Sequence, residues 1–214
     1  MIWLMISLGT VSAPTSASLI QGPTPVNWTS WPSQSGMSPD LLERGTNAWT
    51  IRTRLTVRPD GTVQSCEVES GTDNKTLDKF TCGMFERRAK FRPAVWSNGS
   101  PSYGVFRFAF EWTRAVPPPS KSSHVDLNVR VDRKTYAERV AAFVHVVFTV
   151  DGDGQIGECS GAAPFDSGIA TNPPTLVPIA CEAVIHRYRP RAAKDESGEP
   201  VRSVQNAIVR IKSD

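Results

Sequence analysis

The sequence has no long apolar run and no large excess of charge of one sign. The apolar stretch at the N-terminus, Met1–Ala13, is shorter than the roughly 20 residues that span a bilayer as a helix. The 24 basic and 21 acidic side chains leave a formal net charge of +3, whereas a protein that neutralises many phosphates needs a large basic excess. With 39% apolar and 21% charged residues, the composition excludes a disordered chain and a polytopic membrane protein. We therefore predict a folded protein with no nucleic-acid partner.

Motifs of catalysis and of metal binding are also missing. The sequence has no Gly-rich phosphate loop, no nucleophile elbow and no paired-carboxylate motif. None of the four cysteines lies in the Cys-x-x-Cys spacing of thioredoxin-type sites and zinc ribbons, and the three histidines are scattered without ligand spacing. We predict that the protein is not an enzyme and has no cofactor and no metal.

The first residues have the features of a secretory signal. Small residues at cleavage-like spacing, Val11-Ser12-Ala13 and Thr15-Ser16-Ala17, follow the apolar stretch, and we predict residues 1–17 as a signal peptide cleaved near Ala13 or Ala17. No Lys or Arg precedes the stretch, so a misplaced start or an uncleaved membrane anchor stays as the alternative. Residues 18–36, rich in Ser, Pro, Gly and Thr, are predicted to form an exposed leader. An exported chain meets an oxidising compartment, where disulfides are the default.

The chain contains an internal repeat. Four residues of the first half recur in the second half at a constant offset of 93 positions. Further on, Phe91-Arg92-Pro93 matches Tyr188-Arg189-Pro190, and Gly99-x-Pro101 matches Gly198-x-Pro200. We predict one module over 37–113 and a divergent one over 125–214, joined by a Pro- and Ser-rich linker over 114–124. The residues that recur are Val57, Asp60, Gly61 and Cys66, matched by Val150, Asp153, Gly154 and Cys159.

The periodicity of the first module predicts a hairpin, a helix and a third strand. Apolar and polar residues alternate from Trp49 to Val57, Pro59-Asp60-Gly61 supplies a hairpin turn, and Val63–Ser70 forms the returning strand. Helical spacing of apolar residues predicts a helix over 74–90, which Pro93 ends. The alternation over Tyr103–Trp112 predicts the third strand, and a short leading helix is expected near Leu41.

The second module is predicted to repeat these elements. We expect a short helix before a strand that begins near Ala142, then a hairpin, a helix from Thr175 and a closing strand over Ser203–Ile211. The predicted fold class is α+β, with two tandem small modules. Each module is a three-stranded antiparallel sheet with a helix packed on one face.

Four cysteines allow three disulfide pairings. The repeat selects Cys66–Cys82 and Cys159–Cys181, because each pair then occupies the same two places in its module and joins the second strand to the helix. Each bridge closes a short loop and would contribute on the order of 3 kcal/mol, chiefly by restricting the unfolded chain.

Taken together, these residues resemble the C-terminal domain of TonB, the periplasmic energy transducer of Gram-negative bacteria. One part of the likeness is the strand-turn-strand that runs from Leu55 through Asp60-Gly61 to Cys66 and Ser70-Gly71. The others are the helix from Leu77-Asp78 through Thr81-Cys82 to Arg88–Ala94, and Gly99-x-Pro101 before the last strand. The resemblance covers about residues 45–113, and a weaker second copy covers about 138–212.

The resemblance implies a periplasmic or secreted protein of a Gram-negative bacterium. It also implies a function, because proteins of this family grip a short segment of an outer-membrane receptor by adding it to their sheet as an extra strand. The third strand of the first module would then be the binding edge. The partner-binding residues predicted on it are Tyr103, Val105, Arg107, Ala109 and Glu111.

The sequence departs from a full transducer in its N-terminal part. The apolar stretch is short and has no histidine, and the only proline cluster is Pro117–Pro119. We therefore expect a module that binds receptor or other envelope protein segments in connection with transport, with membrane association at most through partners or an uncleaved N-terminus. The alternative is a structural or stress-related envelope protein with no transport role. Pairing of the two modules edge to edge would favour that alternative, since it would remove the binding edge.

Basic residues cluster where each predicted helix ends. They have two interpretations: cations that interact favourably with the C-terminal end of the helix dipole, or a patch for an acidic partner such as a receptor plug or an anionic envelope polymer. We favour the first, because nearby acidic residues leave each half almost neutral. The clusters are Arg87, Arg88, Lys90 and Arg92, and Arg187, Arg189, Arg191 and Lys194.

Overall fold

A computed structural model of the chain describes residues 20–26, 28–31, 48–113, 125–132, 141–162 and 173–213. The predicted signal peptide, the linker and the two short leading helices lie outside these residues. One short 3-10 turn, Trp28–Ser30, follows the first strand. The other elements, in chain order, are β1 (Thr24–Val26), β2 (Ala48–Val57), β3 (Val63–Ser70), α1 (Lys75–Arg88), β4 (Lys90–Arg92), β5 (Ala94–Val95), β6 (Pro101–Thr113), β7 (Leu127–Val131), β8 (Ala141–Val150), β9 (Ile156–Gly161), α2 (Val177–Arg187), β10 (Ala193–Lys194), β11 (Pro200–Val201) and β12 (Ser203–Ser213).

Both predicted hairpins form. In the first, the Asp60 carboxylate accepts a hydrogen bond from the Thr62 N–H at 2.8 Å, and Gly61 has φ of 83°. A Cβ at this glycine would lie 2.1 Å from the Phe91 carbonyl oxygen, so both the conformation and the space require glycine here. The second hairpin has Gly154 at φ of 81° and closes with a hydrogen bond from Asp151 N–H to Gln155 O at 3.0 Å.

The two helices begin in different ways. Asn74 caps α1, because its side-chain oxygen accepts hydrogen bonds from Thr76 N–H and Leu77 N–H at 3.1 and 3.2 Å. Leu77 and Phe85 are then fully buried against the sheet. The second helix begins after Pro173-Pro174 and has no side-chain cap at Leu176. Both helices lie within the predicted stretches.

The strands of the two halves form one continuous sheet. Its order is β3-β2-β6-β12-β8-β9, with β5 pairing β6 and β7 pairing β12. The junction is a parallel pairing of β6 with β12, in which Tyr103, Gly104 and Val105 lie opposite Ser203, Val204 and Gln205. The α+β class fits the structure, but the arrangement as two separate three-stranded modules is not confirmed.

The two helices pack on opposite faces of this sheet. Residues that pair across parallel strands point to the same face, so Val204 lies on the face of Gly104 and Phe106. Phe106 belongs to the core under α1, whereas Ala207 and Val209, on the other face of β12, belong to the core under α2. Each half therefore leaves the face opposite its own helix to be covered by other parts of the chain.

The predicted exposed leader is wrong for the residues that the structure describes. Ile20 and Trp31 are buried, with 5% and 3% of their surface exposed, and β1 pairs antiparallel with β4. The segment crosses β6 at Gly104, where a Cβ would lie 2.8 Å from the Pro23 ring. The segment is buried because Ile20 packs on Val147 and Val204, on the face of the second half that α2 does not cover.

Candidate functional site at the outer edges of the sheet

The predicted binding strand, β6, is not an edge of the sheet. It lies between β2 and β12, and the backbone of Tyr103 and Val105 pairs with β12. The prediction of an open edge is therefore wrong over Tyr103–Val105, because the closing strand of the second half pairs there. No described strand pairs with that side of β6 from Phe106 to Thr113. The Tyr103 hydroxyl donates to Glu196 at 2.7 Å. Ala109 and Glu111 pair with β2 on the other side, opposite Arg52 and Thr50.

Arg107 is the centre of a charged cluster inside the fold. Its guanidinium donates to Glu69 through Nε at 3.0 Å and Nη2 at 2.7 Å, and also to Asp126 and to the Tyr188 hydroxyl. Asp126 in turn accepts a hydrogen bond from Ile208 N–H at 2.8 Å. Burial alone would lower the pKa of Arg107, but the bond to Glu69 and the charge of Asp126 raise it overall. The guanidinium of Arg107 therefore makes its hydrogen bonds with other residues of this chain.

A second arginine on the same face is held by the segment that follows α2. Arg54 is 4% exposed and donates to the carbonyl oxygens of Arg191 and Ala192 at 3.0 and 3.2 Å. Burial lowers the pKa of Arg54, and its ion pair with Glu67 at 3.3 Å offsets part of that effect. The segment after α2 therefore covers the face of the first half that α1 leaves open.

The alternation over Tyr103–Trp112 puts Arg107 on the face opposite Phe106, as observed, but it does not reveal this cluster. The available signal was the charge pattern, since Glu67 and Glu69 lie on the strand next to the one that carries Arg54. What the sequence does not give is the register between the halves, which brings Asp126 and Tyr188 to Arg107.

The structure places the four cysteines in the two predicted pairs at disulfide distance. Cys66 and Cys82 have Cα atoms 5.3 Å apart, and Cys159 and Cys181 have Cα atoms 5.7 Å apart. Each bridge ties an outermost strand of the sheet, β3 or β9, to the helix beside it. The two ends of the sheet are therefore built alike.

The outer edge of β3 is capped by a side chain. The N–H of Cys66 points away from β2 and donates to the Glu86 carboxylate at 3.0 Å. Glu86 lies four residues after Cys82 and so projects from the same side of α1 as the disulfide. A charged side chain on an edge hinders the pairing of a further strand.

The outer edge of β9 has no such cap among the residues that the structure describes. Ala162 N–H donates to His145 O at 2.9 Å. Hydrogen-bonded and non-hydrogen-bonded residue pairs alternate along an antiparallel ladder. The backbone N–H and C=O groups of Cys159 and Gly161 therefore point away from β8. The residue four positions after Cys181, in the place that Glu86 has on α1, is Ile185. Its aliphatic side chain cannot accept a hydrogen bond from the edge.

Large apolar side chains are exposed at this end of the sheet. Ile185 is 42% and Phe143 is 36% exposed, and these two are the exposed large apolar residues among the described part of the chain. Phe143 lies on β8 and points to the face opposite Val144, whose side chain packs under α2. Phe143 lies outside the β8 residues that pair with β9, and the Arg210 guanidinium lies 5.7 Å from its ring centre, so Ile185 is the exposed large apolar side chain on the helix beside the β9 edge.

The comparisons with known proteins give one match. Residues 43–113 match the family described as Gram-negative bacterial TonB protein C-terminal, which is less than half of the chain. Searches of curated proteins and of solved structures each found no match. Proteins of this family are energy transducers of the periplasm or envelope, not enzymes, and their C-terminal domains interact with envelope proteins such as outer-membrane receptors.

Among the described residues, no helix is both long and apolar enough to cross a membrane. The match over 43–113 points to a TonB-like role in transport at the envelope. The matched residues comprise β2 to β6 and contain the first disulfide, while β7 to β12 and the second disulfide lie beyond them.

Proposed function

We propose that the protein binds an extended segment of an envelope protein, such as an outer-membrane receptor, by strand addition at the outer edge of β9. The observation that carries the proposal is the difference between the two ends of the sheet. Glu86 caps the backbone of β3, whereas Ile185 stands in the corresponding place beside β9. Main-chain groups supply affinity in this mode of binding, and pockets for alternate side chains supply selectivity.

The exposed side chain of Ile185 fits an added strand. Successive residues of a strand point to opposite faces, so an added segment would present alternate side chains to the face of the sheet that carries α2 and Ile185. Burying apolar surface contributes about 25 cal/mol for each Å² removed from water. Apolar residues at alternate positions of the segment are therefore expected to favour binding.

We also propose that residues 125–214 are a divergent second copy of the domain that residues 43–113 match. The order of strand, strand, helix and strand is the same, and both halves carry the bridge from strand to helix. Both also contain the same turn before the last strand, with Gly99 and Gly198 at φ of 85° and 87°. In this arrangement the second copy pairs with the β6 edge of the first at Tyr103–Val105 and offers its own β9 edge to the partner. Such binding requires export to the periplasm.

The test is photo-crosslinking in intact Gram-negative cells, with the crosslinking side chain at Glu158 on β9. We expect crosslinks from Glu158 to a segment of an envelope protein. Ser65 on β3, which precedes Cys66 as Glu158 precedes Cys159, is the matched control position, and it is expected to give none because Glu86 stays in place to cap that edge. Envelope partners captured equally from both positions, or from neither, would overturn the proposal.

A pair of reciprocal variants tests the cap itself. Ile185→Glu places a carboxylate beside β9 and is expected to abolish the crosslinks from Glu158. Glu86→Ile removes the cap of β3 and is expected to permit crosslinks at that end. Crosslinking from Glu158 that persists in Ile185→Glu would show that the contact does not use the backbone edge.

A structural envelope protein is the second candidate, and one observation favours it. The β6 edge, which corresponds to the binding edge implied by the family, is paired within the chain with β12 over Tyr103–Val105. A protein of this kind would hold its shape with both ends of the sheet unused. This candidate would be favoured if Glu158 gave no crosslinks and cells that lack the protein had an envelope defect.

A further inference from the structure

Four basic side chains form an exposed ribbon where α1 ends and β4 runs along the surface. They are Arg87, Arg88, Lys90 and Arg92, which we call the basic ribbon. All four are exposed, and the side chain of none of them makes a hydrogen bond or an ion pair with a described residue. Glu86 is the nearest acidic residue in sequence, and its carboxylate is turned towards Cys66 N–H.

The geometry of β4 makes its cations face solvent together. Phe91 points inwards, with its ring 5.0 Å from that of Trp31 and 5.2 Å from that of Phe106. Because successive residues of a strand point to opposite sides, Lys90 and Arg92 both point outwards. The residues opposite them on β1 are Val26 and Thr24, so no acidic residue faces them across that pair of strands. Asp60, in the nearby hairpin turn, is close enough for the charge of Lys90 to help lower its pKa.

Favourable interaction with the helix dipole explains only part of the ribbon. Arg87 and Arg88 lie in the last turn of α1, where a cation stabilises the helix end. Lys90 and Arg92 lie beyond the helix on a strand, and the dipole effect does not extend to them. Their exposure without partners is therefore not accounted for by the stability of α1.

Two cations after the second helix are used within the molecule. Arg187 donates to Asn128 O at 3.1 Å. Arg191 pairs with Glu67 at 2.7 Å and lies 3.7 Å from Glu69. Arg191 thus helps to hold the two halves together, whereas the cations of the basic ribbon are left to solvent.

The surroundings of the ribbon fit a flat anionic surface better than a peptide. The neighbouring strand β1 contains Pro25, which lacks an N–H and hinders the pairing of an extended segment. Several cations that face solvent together are one of the signals that hold a protein at an anionic membrane surface.

We propose that the basic ribbon docks on the anionic phospholipid surface of an envelope membrane. Phosphate headgroups would take the place of the missing acidic partners, and the sheet edge of β9 would stay available to a protein. This proposal uses a different surface from the proposed function, so either can fail without the other. Each basic residue near an anionic surface contributes roughly a fivefold gain in membrane partition at physiological salt.

The test is co-sedimentation of the purified full chain with phosphatidylglycerol–phosphatidylcholine vesicles. The ribbon variant carries Arg87→Gln, Arg88→Gln, Lys90→Gln and Arg92→Gln, and we expect its partition to fall roughly 100-fold or more. Vesicles of phosphatidylcholine alone measure the binding that does not depend on lipid charge. Binding to the anionic vesicles is expected to weaken steeply as salt is raised, because salt screens exposed charges.

The matched control removes four exposed cations elsewhere, and it changes the net charge by the same amount. Its substitutions are Arg52→Gln, Lys79→Gln, Arg189→Gln and Lys212→Gln, and we expect partition within a few-fold of the unaltered protein. Equal losses in the two variants would overturn the proposal, since net charge alone would then explain binding. Binding of polyglutamate that is as tight as that of the vesicles, and that depends on the same ribbon, would also overturn it and indicate an acidic protein partner.

Discussion

At the scale of single residues, Arg107 is the side chain on which the contact between the halves depends most. It is 14% exposed and pairs with Glu69 and with Asp126, itself 4% exposed. Removing one partner of a buried ion pair leaves an uncompensated charge and costs about 3–5 kcal/mol. We therefore expect Arg107→Met to lower the free energy of unfolding in urea by about 3 kcal/mol or more.

Two further variants separate charge from geometry at this site. Arg107→Lys keeps the charge but cannot make the forked bonds to Glu69, so we expect a smaller loss. Arg52→Gln, on the same face of the sheet, changes an exposed arginine without a described ion pair and should stay within about 0.5 kcal/mol. An effect of Arg52→Gln as large as that of Arg107→Met would contradict the role given to the cluster.

The raised pKa of the Tyr188 hydroxyl leads us to expect a loss of stability at alkaline pH. Burial raises its pKa to about 12 from an ordinary value of 10. The neutral phenol is therefore favoured in the folded state, and the stability that this contributes is complete below pH 10 and is lost as pH rises towards 12. We expect the free energy of unfolding to fall by about 2 kcal/mol over this range. Urea titrations from pH 9 to 12 measure it.

Two variants, Tyr188→Phe and Tyr103→Phe, identify the side chain that causes the alkaline loss of stability. In Tyr188→Phe the alkaline fall should become shallower, although the protein also loses the hydrogen bond from Arg107. Tyr103 also has a pKa raised to about 12, through its hydrogen bond to Glu196, but this site is at the surface, where solvent screens the interaction. A larger change in Tyr103→Phe than in Tyr188→Phe would show that burial is not the main cause.

At the scale of elements, the disulfides should contribute unequally to holding each helix on its strand. The loops that they close differ little, with separations of 16 and 22 residues, and each bridge is expected to contribute on the order of 3 kcal/mol to stability. In the first half, Glu86 also joins α1 to β3. In the second half, no described side chain does the same between α2 and β9.

We therefore expect a double Cys159→Ala, Cys181→Ala variant to expose β9 more than a Cys66→Ala, Cys82→Ala variant exposes β3. Hydrogen exchange of the amides in both strands measures the difference. Peptide mapping without reductant must first show the two bridges within the halves. Equal protection of β3 and β9 in the two variants would mean that Glu86 adds nothing to the edge.

The sequence predicted the elements better than their arrangement. Hairpins and helices follow from local features: the turn at Asp60-Gly61, the alternation along β2 and β6, and the helical spacing of Leu77, Phe80 and Met84. The pairing of β6 with β12 joins residues 100 positions apart in the register, and nothing local specifies it. The disulfide pairs could be predicted because the repeat compares like positions, whereas the β9 edge emerges only after the sheet order is known.

At the scale of the whole molecule, the two halves cover each other. The segment after α2 lies over Arg54 and Arg107, and the N-terminal segment lies over Val147 and Val204. Because the interactions are reciprocal and the sheet is continuous, separating the halves would expose buried charge on one side and buried apolar surface on the other. The chain is therefore expected to unfold as one unit in spite of its repeated order of elements.

This cooperativity can be tested by perturbing one half and observing the other. Calorimetry should give a single transition, with equal calorimetric and van't Hoff enthalpies. In Arg107→Met, the amides of β8, on the far side of β12, should lose protection as much as those of β2, because global unfolding is the route by which both exchange. Two separate transitions, or a loss of protection confined to β2, would show that the halves are independent modules joined by a weak contact.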